Sequence, residues 1–597
     1  MSYQAPIRDV LFTLEHICDL YDLQNTKAFS ETSADLVRAI LEEAGKFTTK
    51  ELAPLNRNGD LHGATLQNGE IATAPGFREA YAKFVTGGWQ GLSFAESHGG
   101  MGLPNVLGVA FMELMQAANM AFGLCPMLTM GAIEVLIQAG TKEQKDTWLP
   151  KLITGEWTAS MNLTENAAGS DVGALSTSAS PQADGSFLLK GQKIFITWGE
   201  HDCTENIVHL VLARTDGAPK GTKGLSLFLV PKFLADDTGA YTVRNDAFAI
   251  GLEHKLGIHG SPTCVMEYGG ATGAKGWLIG EEMRGMAMMF IMMNSARLNV
   301  GAQGVGIGER AWQQAYYFAQ DRKQGRAETD KAVPAAIIHH PDVRKMLVLS
   351  KAKLAAARAI VYSCGFASDM AVHGADEDDR AKARRREDLL TPLAKSYGSD
   401  TGVEIASMGV QVHGGMGYIE ETGAAQHYRD ARITPIYEGT NGIQAIDLVG
   451  RKLSMQSGLL FKEILDEIRQ CIDICKVSDD ERLREIATHL ETAAIGMQGA
   501  VNWLQDPART QQDRLSGATA FQDMCAETIG GFYLTKGALA AHNILGDPGV
   551  DRSYLQGRID LAHIFAQAVL TQVASRMDEV SLGAKLLYAL DIEGLSP

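Results

Sequence analysis

The apolar periodicity of this chain changes twice, and those two switches restrict its possible folds more than any other feature. Up to about residue 158 apolar residues recur three and four positions apart, as in 33–44 and 111–118, and 141–155 reads as a short helix and a turn. That is the spacing of helices with one buried stripe. From about 160 to 280 the pattern becomes short runs of β-branched and aromatic residues broken by glycine, and 186–198, 206–214, 224–231 and 262–268 read as strands closed by 277–280. Beyond Glu281 the helical period returns over 285–326, 341–373, 388–412 and 442–455. Further helices are expected at 461–477, 480–504, 518–540 and 555–576. The run 374–387, acidic and then basic, reads as a solvated connection between two helices. A β block set between helical ones excludes a doubly wound sheet, so the expected class is α+β. Its units would be a helical domain (1–159), a β-barrel-like domain (160–284), a helical bundle (285–455) and an additional helical domain (456–597). A length of 597 residues suits about four such units.

Several function classes fall away on composition. A formal net charge of -17 argues against a nucleic-acid partner. Eight cysteines without paired spacing, Cys471 and Cys475 included, fit a reducing compartment better than a disulfide scaffold. The first residues carry no apolar signal core, and 285–293, the most apolar stretch noted, is too short to span a bilayer. A cytoplasmic protein without membrane association is expected. His339-His340 has no partner at metal-ligand spacing, so no metal is expected. Gly301-Ala-Gln-Gly-Val-Gly-Ile-Gly imitates a dinucleotide fingerprint, but no strand precedes it, and its glycines read as close helix packing. His98-Gly-Gly-Met-Gly and His413-Gly-Gly-Met-Gly could be oxyanion loops, yet no Gly-x-Ser-x-Gly elbow accompanies them.

Three stretches carry chemistry. Leu163-Thr-Glu-Asn-Ala-Ala-Gly-Ser-Asp-Val combines small residues and hydroxyls, which lets backbone N–H groups meet a planar or phosphorylated ligand, or simply makes a capped turn. Lys193-Ile-Phe-Ile-Thr-Trp reads as a strand with Phe195 and Thr197 on one face, suited to a flat heteroaromatic ring or to nothing special. Ile436-Tyr-Glu-Gly-Thr-Asn centres on Glu438, flanked by apolar and aromatic side chains. It is either an exposed acid in a turn or a carboxylate kept from water as a base.

Taken in order, Leu163-Thr-Glu-x-x-x-Gly-Ser-Asp, Lys193-Ile-Phe-Ile-Thr, Gln411-Val-His-Gly-Gly-Met-Gly and Ile436-Tyr-Glu-Gly-Thr resemble the motifs of the acyl-CoA dehydrogenase family over about residues 33–453. The length and the added carboxy-terminal domain most resemble the bacterial subgroup that includes 3-methylmercaptopropionyl-CoA dehydrogenases. The resemblance implies a central β domain, a four-helix bundle after it, and an FAD buried between the two. By it, Met161, Leu163, Thr164, Gly169 and Ser170 edge the flavin and its phosphate, with Phe195, Ile196 and Thr197 beside them. Arg322, Gln411, Gly414 and Gly415 would serve an FAD shared between subunits, and Thr440 and Asn441 its adenine end. Ser170, Asn294, Arg297 and Gly439 would meet the acyl-CoA, with Arg297 holding the CoA moiety unless it is a helix-end arginine reaching for water. Glu438 would take the α-proton while the flavin accepts the β-hydrogen as hydride, giving a trans-2-enoyl-CoA. The alternative base position, one residue before the CoA arginine, is Ala296 and cannot serve.

The same resemblance implies an electron-transfer flavoprotein as acceptor and a homo-oligomer, dimer rather than tetramer. It also suggests 3-(methylthio)propanoyl-CoA as substrate in dimethylsulfoniopropionate breakdown. A fatty acyl-CoA dehydrogenase of β-oxidation, or an acyl-CoA oxidase using O2, is the alternative. Asn166-Ala167 replaces the family's usual Pro-Gly, Phe195 its commoner tryptophan, and Gly442 a frequent glutamine. The methionines at 286, 288, 289, 292 and 293 would line an adaptable pocket or simply fill core.

Overall fold

The computed structural model describes residues 3–67, 70–330 and 332–596, and the chain divides into two units, 46–299 and 6–45 with 300–597. In the first, the β block closes on itself. Phe187–Thr197 pairs with Ala274–Ile279, which pairs with Leu225–Pro231, then Ile207–Thr215, and Ser178–Pro181 bridges Ile207–Thr215 back to Phe187–Thr197. Ala247–Leu252, Thr263–Tyr268 and Thr158–Asn162 extend this ring. Every pairing is antiparallel except the two that Thr158–Asn162 and Ser178–Pro181 make with Ile207–Thr215. Closure removes free edges, and the interior fills with Leu189, Val211, Phe228, Val230 and Met266. Five of the strands, 158–162, 178–181, 233–235, 241–244 and 247–252, lie outside the expected ones, because short strands leave little periodic signal.

An antiparallel pair of strands, 65–67 and 70–72, also lies outside the sequence reading, as does the most apolar helix among the described residues. That helix is Met120–Ala139, 20 residues capped by the Asn119 side chain. Its length and composition would let it cross a membrane, but 89% of its most apolar window is buried inside the protein. It is a core helix. The next helix, Lys142–Ile153, starts at a capping box formed by Thr141 and Gln144.

The second unit is helical. Pro341–His373 and Glu377–His413 pack on the carboxy-terminal part of Gly285–Asp321, and Asn441–Gly450 follows. Leu459–Lys476, Glu481–Gln505, Ala518–Ile544 and Arg552–Phe565 complete it, close to expectation. The charged run 374–387 departs from expectation: most of it is helix, since Asp376 caps a helix that begins at Glu377 rather than near 388. Its arginines are not simply solvated. Arg385 reaches Glu463 at 2.6 Å and Arg386 reaches Glu467 at 2.7 Å, so the run fastens the additional domain to the bundle. Local charge pattern could not reveal partners about 80 residues away.

The glycines at 301, 304 and 308 do what their spacing suggested. A Cβ added at Gly301 would lie 2.5 Å from the Ala394 carbonyl oxygen, one at Gly304 2.2 Å from that of Gly398, and one at Gly308 3.4 Å from the Gly402 Cα. Two helix backbones meet along this ridge. Gly304→Val is expected to cost at least about 2 kcal/mol, since overpacking here displaces backbone rather than a side chain; thermal unfolding of the variant checks it. Beside the ridge, Glu309 is buried with Lys351 at 3.0 Å and Arg358 at 2.9 Å. Asp9 joins them through Lys351 at 2.9 Å and Arg558 at 3.3 Å. Burial opposes ionisation of Asp9, yet the three cations hold its carboxyl well below the usual range.

Candidate active site

In the β-containing unit the first two motifs are tied together by one buried ion pair. Lys193, wholly inaccessible, reaches Glu165 at 2.8 Å and donates to the Leu163 carbonyl at 2.9 Å. The Glu165 carboxylate also accepts from the backbone and hydroxyl of Ser176 and of Thr177, at 2.5–3.1 Å. Burial opposes the charge on Glu165, but Lys193 and these hydrogen bonds outweigh it and hold the carboxyl near 2. Burial pulls Lys193 down to about 8 against the attraction of Glu165. Neither residue was singled out from sequence, although both stand inside the quoted motifs.

This anchor shapes the loop 163–177. Asn166, Ala167, Gly169, Ser170 and Asp171 are exposed, and a Cβ at Gly169 would meet nothing within 4 Å. Ile194 N–H donates to the Thr164 carbonyl at 2.9 Å, which brings Leu163 and Thr164 beside Phe195. Phe195 sits in a bulge opposite Cys264–Met266 with φ +61, 58% exposed, while Ile196 is buried and Thr197 half-buried. A large aromatic held outward in a left-handed conformation is costly twice over, in backbone strain and in exposed apolar area. Both costs make sense for a residue that lies on a ligand. Met161 is the one half-exposed residue of its strand. Behind it, Ser160 bonds His209 at 2.8 Å, and Tyr268 donates to Asn162 at 2.7 Å. Burial keeps His209 neutral, near 3.

Arg297 lies well inside the helix Gly285–Asp321 and is 3% exposed, so the alternative of a helix-end arginine reaching for water is not met. Asn294, one turn before it, is exposed, and Ala296 is buried and apolar. Met289 and Met292 are core, whereas Met286, Met288 and Met293 are half-buried.

In the helical unit, Glu438 is half-buried with φ +56, and Gly439 follows with φ +81. Glutamate in this region costs on the order of 1–3 kcal/mol and persists only where the surroundings impose it. Here they do. Thr440 caps the helix Asn441–Gly450 by accepting from Ile443 N–H at 3.2 Å. Buried Gln444 donates to the Gly439 carbonyl at 3.1 Å. The Tyr437 hydroxyl donates to buried Gln303, and burial, then the neighbouring Glu438 carboxylate, push that phenol well above its ordinary range. Gln303 and Gln444 were missed from sequence, since nothing local marks an amide that grips a loop.

The remaining expected residues form a second group. Gln411, Gly414 and Gly415 lie at the end of Glu377–His413, where Gly414 has φ +59 and a Cβ on either glycine would meet nothing within 4 Å. Phe318 stacks on His413 at 4.3 Å, which brings exposed Arg322, just past its helix, toward the same end. Asn441 packs instead against residues 395–399 of that helix, about three turns earlier, or roughly 18 Å away. Its side chain is engaged there with Lys395 and Ser399.

Four family models match in order: the N-terminal domain of acyl-CoA dehydrogenase at 35–156, its middle domain at 160–269, its C-terminal domain at 283–453, and an acetyl-CoA dehydrogenase C-terminal-like domain at 464–591. The chain is 46% identical to 3-methylmercaptopropionyl-CoA dehydrogenase of Ruegeria pomeroyi, over 99% of this chain and all of that one. The chain belongs to the acyl-CoA dehydrogenase family. A butyryl-CoA dehydrogenase of Syntrophomonas wolfei is 34% identical over 96% of each chain. An acyl-CoA dehydrogenase from Bacillus anthracis, solved with FAD, shares the fold at TM-score 0.74 and 22% identity, over 94% of this chain and 89% of that one. The enzyme is an FAD-dependent oxidoreductase with three family domains and an added carboxy-terminal one. Its residues fit that cofactor. In the β-containing unit, the exposed ring of Phe195 and the open loop at Gly169-Ser170 suit a flat ring and a phosphate; in the helical unit, the bare backbone at Gly414-Gly415 suits an anionic group.

Proposed function

We propose that this enzyme oxidises 3-(methylthio)propanoyl-CoA between Cα and Cβ to 3-(methylthio)acryloyl-CoA, with Glu438 as the base. The observation that carries the chemistry is the left-handed, half-buried Glu438, imposed by its surroundings at an energetic cost. A carboxylate partly withdrawn from water is a stronger base, which an α-carbon acid requires. Glu438 takes the α-proton onto a carboxylate oxygen. Arg297 and Asn294 bind the CoA portion, and Ser170 orients it from the loop anchored by Glu165. Bound FAD, held by Met161, Leu163, Thr164, Gly169, Ser170 and Phe195–Thr197, supplies the hydride acceptor. The full-length relative from Ruegeria pomeroyi supports the choice of acyl group.

An electron-transfer flavoprotein is the proposed acceptor and a cytoplasmic homodimer the proposed form. Exposed Met416, Tyr418 and Ile419 beside Gly414-Gly415 support a subunit contact there. Reduction of the flavin by acyl-CoA without air, followed by slow reoxidation in air, is expected; fast reoxidation would mean an oxidase.

The substrate is tested by turnover with an artificial acceptor. Pentanoyl-CoA, with CH2 in place of sulfur, is the demanding comparison, because apolar pockets discriminate such pairs by only about 1–3 kcal/mol. The thioether is expected to lead by at least about threefold in kcat/KM. Equal or better turnover of C4 to C8 chains would favour a fatty acyl-CoA dehydrogenase, as the butyryl-CoA relative exemplifies.

A further inference from the structure

The loop bearing Glu438 is closed by its own backbone and gripped from behind by one helix. Asn441 N–H donates to the Pro435 carbonyl at 3.0 Å, which closes residues 435–441 with Glu438 at the middle. The Asn441 side chain is then held at several points along Glu377–His413. Lys395 Nζ donates to its Oδ1 at 2.8 Å, its Nδ2 donates to Ser399 Oγ at 3.0 Å and to the Ser396 carbonyl at 3.4 Å, and Asp400 shares a hydrogen bond with it. Lys395 is wholly inaccessible to solvent. A buried ammonium is costly, and a methionine of similar length would fill the space without that cost. Beside its attraction to the Asp400 carboxylate, the ammonium provides a short charge-assisted hydrogen bond to the residue three positions after the base.

We propose that Lys395 is a positioning residue for Glu438: acting through Asn441, it fixes the left-handed Glu438–Gly439 pair and so sets where the carboxylate stands. This rests on Glu438 being the base. The grip is directional, since an amide held by Lys395, Ser396 and Ser399 cannot rotate without losing all three bonds. A displacement of about 1 Å at a reacting group is enough to slow catalysis by about a hundredfold.

The test uses the FAD-loaded enzyme. Lys395→Met is expected to lower kcat at least about tenfold and to change KM for acyl-CoA less than about threefold. FAD content should hold, and the isotope effect from an α-deuterated substrate should rise as proton abstraction becomes more limiting. Asn441→Ala should repeat the kcat loss, and the double variant should lose no more than either alone. If Lys395→Met does not fold, Asn441→Ala decides by the same readouts. Lys452→Met, which breaks another buried lysine bond in the same unit, to Asp388, should lower thermal stability and spare kcat. The proposal is overturned by kcat within about twofold of wild type in Lys395→Met or Asn441→Ala, by losses that multiply in the double variant, or by an equal loss in Lys452→Met. Glu438→Gln, assayed alongside, separates the two readings. If it turns over, the base assignment fails; if it is inactive while Lys395→Met is not, only the positioning role fails.

Discussion

Glu438→Gln is expected to reduce turnover by about a thousandfold while leaving FAD bound and acyl-CoA binding intact. Positioned general bases contribute about 10²–10⁴ in rate, and no other carboxylate is available at the alternative position, where Ala296 stands. A thousandfold loss corresponds to about 4 kcal/mol of activation free energy. Stability should change little, because glutamine keeps the shape of a half-buried side chain whose backbone conformation is imposed from outside. Absorbance of the bound flavin, acyl-CoA titration and steady-state turnover separate these outcomes. Activity within tenfold of wild type would place the base elsewhere.

The second large effect is on stability and cofactor retention. Lys193→Met leaves the Glu165 carboxylate buried without its cation, a kind of loss that typically costs about 3–5 kcal/mol. The loop 163–177 hangs on that carboxylate through Ser176 and Thr177, so FAD should be released more readily as well. Lys193→Met combined with Glu165→Gln should recover part of the stability, since no unpaired charge remains. Equal losses in the single and double variants would show that packing, not charge, dominates. Acid titration gives the matching sign. The folded carboxyl of Glu165, near 2, lies below its ordinary value of 4.5, so its contribution is complete above about 4.5 and is lost as pH falls toward 2. In Glu165→Gln that portion of the acid destabilisation should be missing from denaturation curves recorded across this range.

Much of the architecture was legible because period and composition are local properties. Pro341–His373 and the main strands fell where the pattern put them, and the glycines at 301, 304 and 308 were recognised as packing. The motifs around Glu165, Phe195, Gly414 and Glu438 named the segments proposed to form the active site. Less visible were features whose cause lies far along the chain. The charged run 374–387 read as a connection because its partners Glu463 and Glu467 belong to another helix. Met120–Ala139 went unnoticed because a helix buried on all sides shows no amphipathic stripe.

The sequence by itself determined the helical–β–helical order, the family, and Glu438 as the one candidate base. Only the tertiary structure decided the conformation in which that base is held. A left-handed glutamate and a bulged, outward phenylalanine are not choices their own neighbours would make. They exist because Gln303, Lys395 and Glu165, brought in from distant parts of the chain, together with nearby Gln444 and Lys193, supply hydrogen bonds that the strained backbone alone could not sustain.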